Sequence, residues 1–142
     1  MNTIDPEIIR TEVRRRYGAI ASGKSDLALR LIDGGARLIA DDQTVVTRRG
    51  DRLFAAPPAA IAGRLEVRGL GIVALDYAVD MQLAAVFDLV PQQTIERLPD
   101  DMTVALLNIP LPLVRLDPTA PSAAAKVRLA VRQLRGDKMA PP

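Results

Sequence analysis

Gly18-Ala19-Ile20-Ala21-Ser22-Gly23-Lys24-Ser25, followed sixteen residues later by Asp41-Asp42, is the stretch whose reading decides the fold. The octapeptide fits G-x-x-x-x-G-K-[ST]. In that pattern backbone N–H groups wrap a polyphosphate, a lysine reaches the β- and γ-phosphates, and a hydroxyl sits on Mg²⁺. Ser25 capping an ordinary helix would give the same four fixed residues, so the flanking sequence has to arbitrate.

Downstream, Leu27, Leu31 and Ala28 fall on one face of a helical repeat, with charges at Asp26, Arg30 and Asp33. Gly34-Gly35 then reads as the helix stop. Arg37-Leu38-Ile39-Ala40 reads as a short apolar strand running into Asp41-Asp42. Acids at the carboxyl end of a parallel strand lie where α/β proteins bind ligands, and a right-handed crossover returns such a strand beside the loop. The alternative is a solvated strand end starting a turn. Upstream the pattern is less regular. Arg14-Arg15-Arg16 does not suit a buried strand, and Asp5–Tyr17, with Pro6, Ile8, Ile9 and Val13, reads as a short amphipathic helix or a ragged start.

Beyond the acids, Thr44–Thr47, the turn Arg49-Gly50-Asp51 and Arg52–Ala55 form a hairpin. Pro57–Gly63 is a loop or brief helix. Leu65–Arg68 is a strand ending in Gly69-Leu70-Gly71, and places Glu66 and Arg68 on one face, either as a functional acid and base or as a surface ion pair. Leu83–Val90 and Val104–Ile109 read as strands, and Pro110, Pro112, Pro118 and Pro121 as a loop. The period of Ala123–Leu134 predicts a helix with Val127, Ala130, Val131 and Leu134 inward and Lys126, Arg128, Arg132 and Arg135 outward.

Composition narrows the chemistry. The 142 residues suit one domain with an aliphatic core, since there are two Tyr, two Phe and no Trp. A net charge of +2 gives no argument for nucleic acid. The absence of Cys excludes a disulfide framework, and the absence of His leaves acid–base work to carboxylates. No run approaches a membrane span, and the N-terminus lacks a secretory apolar region, so a cytoplasmic protein without membrane attachment is expected.

The octapeptide with Asp26–Asp33, then Arg37–Asp42, then Leu65-Glu66-Val67-Arg68-Gly69-Leu70-Gly71-Ile72-Val73 resembles the HPr kinase/phosphorylase family, in its short form of a catalytic domain alone. The resemblance spans roughly residues 18–135. Its Glu-x-Arg-Gly-Leu-Gly-Ile segment is more specific than the phosphate loop. It implies an α/β fold: a single P-loop kinase-like domain, residues 18–136, with a mixed β-sheet flanked by helices, an atypical segment 1–17 and a tail 137–142. The implied activity is ATP-dependent phosphorylation of a serine on HPr, the phosphocarrier protein of the sugar phosphotransferase system, with phosphorolysis in longer members. By position, Gly18, Ala19, Ile20, Ala21, Ser22, Gly23, Lys24 and Ser25 form the nucleotide site and Lys24 binds phosphate. Asp41 takes the serine proton with Asp42 beside it, Ser25 and Glu66 hold Mg²⁺, and Arg68 belongs to the segment shared by both reactions. The resemblance also implies a homo-oligomer, a hexamer. The family has a His upstream of the loop, and Ile20 and Ala21 stand where its loop has Ser and Gly. Readings as a nucleotide-binding regulatory relative without transfer activity, or as a small-molecule P-loop kinase or NTPase, stay open.

Overall fold

The computed structural model describes residues 7–10 and 18–136. Its elements are β1 (Glu7–Arg10), α1 (Gly18–Asp33), β2 (Gln43–Arg49), β3 (Arg52–Ala56), β4 (Arg64–Val67), β5 (Gly71–Ala74), β6 (Met81–Gln82), β7 (Val86–Leu89), β8 (Met102–Leu106), β9 (Ile109–Leu116) and α2 (Ala123–Leu134). The class is mixed α/β, as expected. The strands fall into three hydrogen-bonded sheets, ordered β1-β2-β3-β6, β4-β5 and β7-β9-β8. Among the strands of the described residues, β7 and β9 are the parallel pair, with Val86 opposite Leu113 and Leu89 opposite Leu116.

Two clusters make the core. In one, Leu27 from α1 and Ala123, Ala124 and Val127 from α2 close over Leu89 and Leu116, with Leu31, Phe87 and Val131 packed around them. Both helices therefore cover the parallel pair, which is why their apolar stripes read clearly in the sequence. In the other, Val46, Leu53 and Leu111 pack with Leu83, Val86 and Ile109, joining the hairpin sheet to β9. Full burial of one aliphatic side chain stabilises by about 1.5–3 kcal/mol, so these few leucines and valines dominate the fold.

Several expectations need correction. Helix α1 starts at Gly18, not Asp26, and takes in the whole octapeptide. Ala19, Ile20 and Ala21 make this affordable, since alanine has the highest helix propensity and no residue there demands a positive φ. The stop at Gly34-Gly35 holds: Gly35 has φ +108°, and the Ala36 N–H reaches back to the Leu31 carbonyl at 3.0 Å. Of the helix or ragged start proposed for Asp5–Tyr17, Glu7–Arg10 is instead a strand antiparallel to β2, with Ile8 opposite Val45 and Ile9 opposite Thr44. β-branched residues favour that pairing. The remainder of that segment and the tail 137–142 lie outside the described residues.

Among the described residues Arg37–Ala40 makes a single parallel bridge, Leu38 to Tyr77, rather than a strand. The stretch from Leu83 divides, with β7 beginning at Val86. Pro110 and Pro112 lie inside β9, where a loop was expected. They fall in the half of β9 that pairs β8 alone, at Ala105↔Pro110 and Thr103↔Pro112, whereas β7 pairs only from Leu113 onward. A strand bonded on one side tolerates missing N–H groups on the other. Leu107 and Asn108, both at positive φ, close the β8–β9 turn. Helix α2 has the expected bounds, but Leu134 is 43% exposed because the core cluster stops at Val131. Arg128 is half-buried rather than outward, and donates to the Arg30 carbonyl at 3.3 Å.

Candidate active site

Lys24 stands three residues before Leu27 and seven before Leu31, so it continues the buried face of α1 toward its N-terminal end. There its ammonium meets two carboxylates. Lys24 Nζ lies 2.8 Å from Asp42 Oδ1 and 3.5 Å from Asp41 Oδ1. The Lys24 and Asp41 side chains are 19% and 14% exposed, so this is a partly desolvated cluster, stronger than a surface pair. Asp41 is further fixed because its Oδ2 accepts the Glu66 N–H at 3.1 Å. The acids thus reach the lysine without the strand that was expected to deliver them. The Leu38–Tyr77 bridge and the Ala78 N–H bonded to the Leu38 carbonyl at 2.8 Å anchor the extended segment just before them.

A cavity of about 510 Å³ is lined by Gly23, Ser25, Val67, Arg68, Pro118 and Thr119 among others; Lys24, Asp41 and Asp42 do not line it, and it meets the cluster through the chain neighbours of Lys24. Ser25 and Arg68 therefore share a wall with the phosphate-loop glycine. Arg68, however, sits in the turn after β4 rather than on the strand. Glu66 is exposed on β4, and its side chain does not line the cavity. The face-sharing proposed for the two is lost because β4 ends at Val67, where the Leu70 N–H bonds the Val67 carbonyl at 3.0 Å to close the turn. Gly18–Ser22 form the first turn and more of α1.

The opposite wall was not anticipated as functional. Pro118 and Thr119 are held by two devices. Arg30 of α1 donates to the Pro118 carbonyl at 2.6 Å and the Ala120 carbonyl at 3.3 Å. Asp117 Oδ1 accepts both the Thr119 hydroxyl, at 2.6 Å, and the Thr119 N–H, at 2.9 Å, while Oδ2 accepts the Gln92 N–H at 3.0 Å. The Thr119 hydroxyl and N–H, then the Gln92 N–H and the Lys126 charge, hold the Asp117 carboxyl below its ordinary value despite opposing desolvation. The signal was present as Asp117-Pro118-Thr119, an Asx-turn pattern that satisfies its own backbone two residues on.

The cavity suits a phosphate in two respects. A Cβ placed on Gly23 would lie 3.2 Å from Pro118 Cγ and 3.3 Å from Thr119 Cγ2, so glycine keeps this wall close to α1. Arg68 is the cation of the lining, which it shares with Asp26, while Lys24, next in the chain to Gly23, does not line the cavity. Among the described residues no three carboxylates gather as a self-sufficient metal site. A larger cavity of about 750 Å³, between Leu134 of α2 and Met102, Leu113 and Val114 of β8 and β9, shares no residue with this one. Among the described residues no helix is long and apolar enough to cross a membrane.

Residues 17–135 match the family profile of the HPr Serine kinase C-terminal domain. The chain belongs to that family. It is similar to the HPr kinase/phosphorylase of Chlorobium phaeobacteroides, 32% identical over 111 residues, which are 70% of this chain and 33% of the relative. It is also similar to that of Chlorobaculum tepidum, 37% identical over 114 residues, 70% of this chain and 33% of the relative. The chain spans about a third of the length of these relatives. Among solved structures, the Hpr(Ser) kinase/phosphatase from Coxiella burnetii superposes with a TM-score of 0.72 at 22% identity, covering 81% of this chain and 82% of that one. The HPr kinase domain fold follows from that likeness.

Proposed function

We propose that this chain is an ATP-dependent protein kinase that phosphorylates a serine of an HPr-like phosphocarrier protein in the cytoplasm. The observation that carries the reading is Lys24 held between Asp41 and Asp42, with its chain neighbours Gly23 and Ser25 lining a cavity that Arg68 also lines. Family membership and the relatives' names support the choice of acceptor. In this reading Lys24 and the Gly18–Ser25 segment bind the β- and γ-phosphates, Arg68 offsets charge on the transferring group, and Mg²⁺ would be held by Ser25, with Glu66, which lies outside the cavity lining, joining it on the family resemblance alone. Mg²⁺ supplies charge neutralisation across the phosphates.

Asp41, oriented by the Glu66 N–H, accepts the proton of the acceptor serine as its oxygen bonds to Pγ. The bridging bond to Pγ breaks and its electron pair leaves with ADP. Little covalent chemistry falls to the protein, so positioning and charge supply most of the acceleration. Phosphorolysis of phosphoserine would use the same groups in reverse, and assembly into a homo-oligomer, a hexamer as the family resemblance implies, accompanies this reading. The test is labelled ATP with purified HPr: phosphoserine on HPr is expected, and its absence with catalytic amounts of folded protein would overturn the assignment.

One observation favours a second reading. With α1 running from Gly18, the N–H groups of Ser22 to Ser25 lie inside helical turns and are committed to the helix. A nucleotide-binding regulatory relative without transfer activity fits that conformation. ATP binding without phosphoserine formation would select it.

A further inference from the structure

Among the described residues strands β4 and β5 form a two-stranded sheet, with Glu66 opposite Ile72 and Arg64 opposite Ala74. Leu65 is buried and Val73 half-buried on its inner face. The outer face carries Arg64, Glu66, Ile72 and Ala74, all exposed. Ile72 is 70% exposed, and Leu70 in the connecting turn is 75% exposed. A two-stranded hairpin is marginal by itself, and two large aliphatic side chains in water at its tip do nothing for its stability.

This face is continuous with the site at two points. Glu66 donates its N–H to Asp41, and Arg68, two residues before Leu70, lines the cavity. Cross-strand partners stand about 5 Å apart at Cβ, which puts Ile72 within about 10 Å of the Asp41 carboxylate.

We infer that Leu70 and Ile72 are the apolar anchors of a docking surface for a folded acceptor protein, one whose target serine is bordered by apolar side chains. The inference rests on the kinase reading and specifies how its acceptor is recognised. A stable protein contact covers about 800 Å² on each partner, a patch of roughly 16 Å radius. A protein whose serine reaches Asp41 therefore lies over Ile72 and Leu70. A small-molecule acceptor would leave both in water, and a second copy seated on this face would obstruct the approach to Asp41.

Leu70→Ser and Ile72→Ser decide the matter, since both positions are exposed and the fold, checked by thermal unfolding, is expected to persist. The acceptors are intact HPr and a short peptide spanning its target serine. Each substitution should raise the KM for HPr about tenfold, with kcat, the KM for ATP and the KM for the peptide within about twofold of the parent. An unchanged KM for HPr overturns the docking surface. So does loss of an oligomer on sedimentation with HPr kinetics unaltered, which assigns the patch to a second copy. If the parent makes no phosphoserine, the kinase reading fails separately, and direct titration of HPr onto the parent and Ile72→Ser then judges docking. Binding lost in the variant upholds it; binding absent from the parent or equal in both overturns it.

Discussion

The ammonium of Lys24 lies 2.8 Å from a carboxylate oxygen of Asp42, eighteen residues further along the chain. If Lys24 binds phosphate as proposed, a polyphosphate has to compete with this carboxylate for it. Lys24→Ala should abolish phosphoryl transfer and, because it leaves two partly desolvated carboxylates without their cation, should cost about 1–3 kcal/mol of stability while the protein still folds. Phosphoserine formation and thermal unfolding measured together check this. Retained transfer in a normally folded variant ends the phosphate-loop reading.

Asp41 is the less exposed of the two acids and the one oriented by a backbone N–H. Asp41→Asn should lower kcat by about 10²–10⁴, the usual range for lost general acid–base help, with ATP affinity changed far less. Asp42→Asn should act mainly through Lys24 and weaken ATP binding. Calorimetric ATP titration beside steady-state rates separates the two, and equal losses of binding and rate in Asp41→Asn would make it a structural or metal residue.

Glu66 and Arg68 divide differently from the shared strand face that alternation suggests, with only Arg68 on the cavity wall. Arg68→Ala should lower turnover at saturating Mg²⁺. Glu66→Gln should raise the Mg²⁺ concentration needed for half-maximal activity. Mg²⁺ titrations superimposable on the parent's in both variants would remove this segment from the site.

Gly63, at φ +72°, ends the turn that leads into β4. A Cβ there would lie 2.9 Å from Tyr77 Cδ1 and 3.0 Å from the Leu75 carbonyl oxygen. Left-handed backbone alone costs a side-chain-bearing residue about 1–2 kcal/mol. Gly63→Ala should therefore destabilise the chain by at least that much, and by disturbing the β4–β5 hairpin should loosen Glu66 and, through it, Asp41. Denaturant unfolding reads the first effect and kcat the second.

Asp117 supplies a pH dependence. Its folded carboxyl titrates below the ordinary 3.8, chiefly through the Thr119 hydroxyl. A depressed carboxyl pKa contributes stability that is present above the unfolded value and lost as pH falls through the folded one. Thermal unfolding of the parent should fall on acidification through that window. Asp117→Asn should be less stable at neutral pH and should converge with the parent in acid. Parallel curves would show that Asp117 contributes nothing by its charge.

Periodicity and glycine punctuation made both helices legible, because each lays a simple stripe of Leu, Ala and Val on the β7–β9 pair. The β2–β3 hairpin was legible from its Gly50-Asp51 turn, and Lys24, Asp41 and Asp42 from motif spacing. What escaped depended on partners distant in sequence. Arg37–Ala40 has the composition of a strand, yet among the described residues its one ladder partner is Tyr77. The prolines of β9 look like loop residues until β8 is seen to bond a single side of that half. The Asp117–Thr119 wall draws its importance from Arg30, nearly ninety residues earlier.

Pro110 and Pro112 have one more consequence. Standing two apart, they remove donors from the same edge of β9, over the stretch where β7 has not yet begun. An open strand edge is a template on which another chain can add itself. Here two of its N–H groups are gone, so an incoming strand would lose rungs of its ladder. The sequence feature that disguised this strand also guards it against edge-to-edge aggregation.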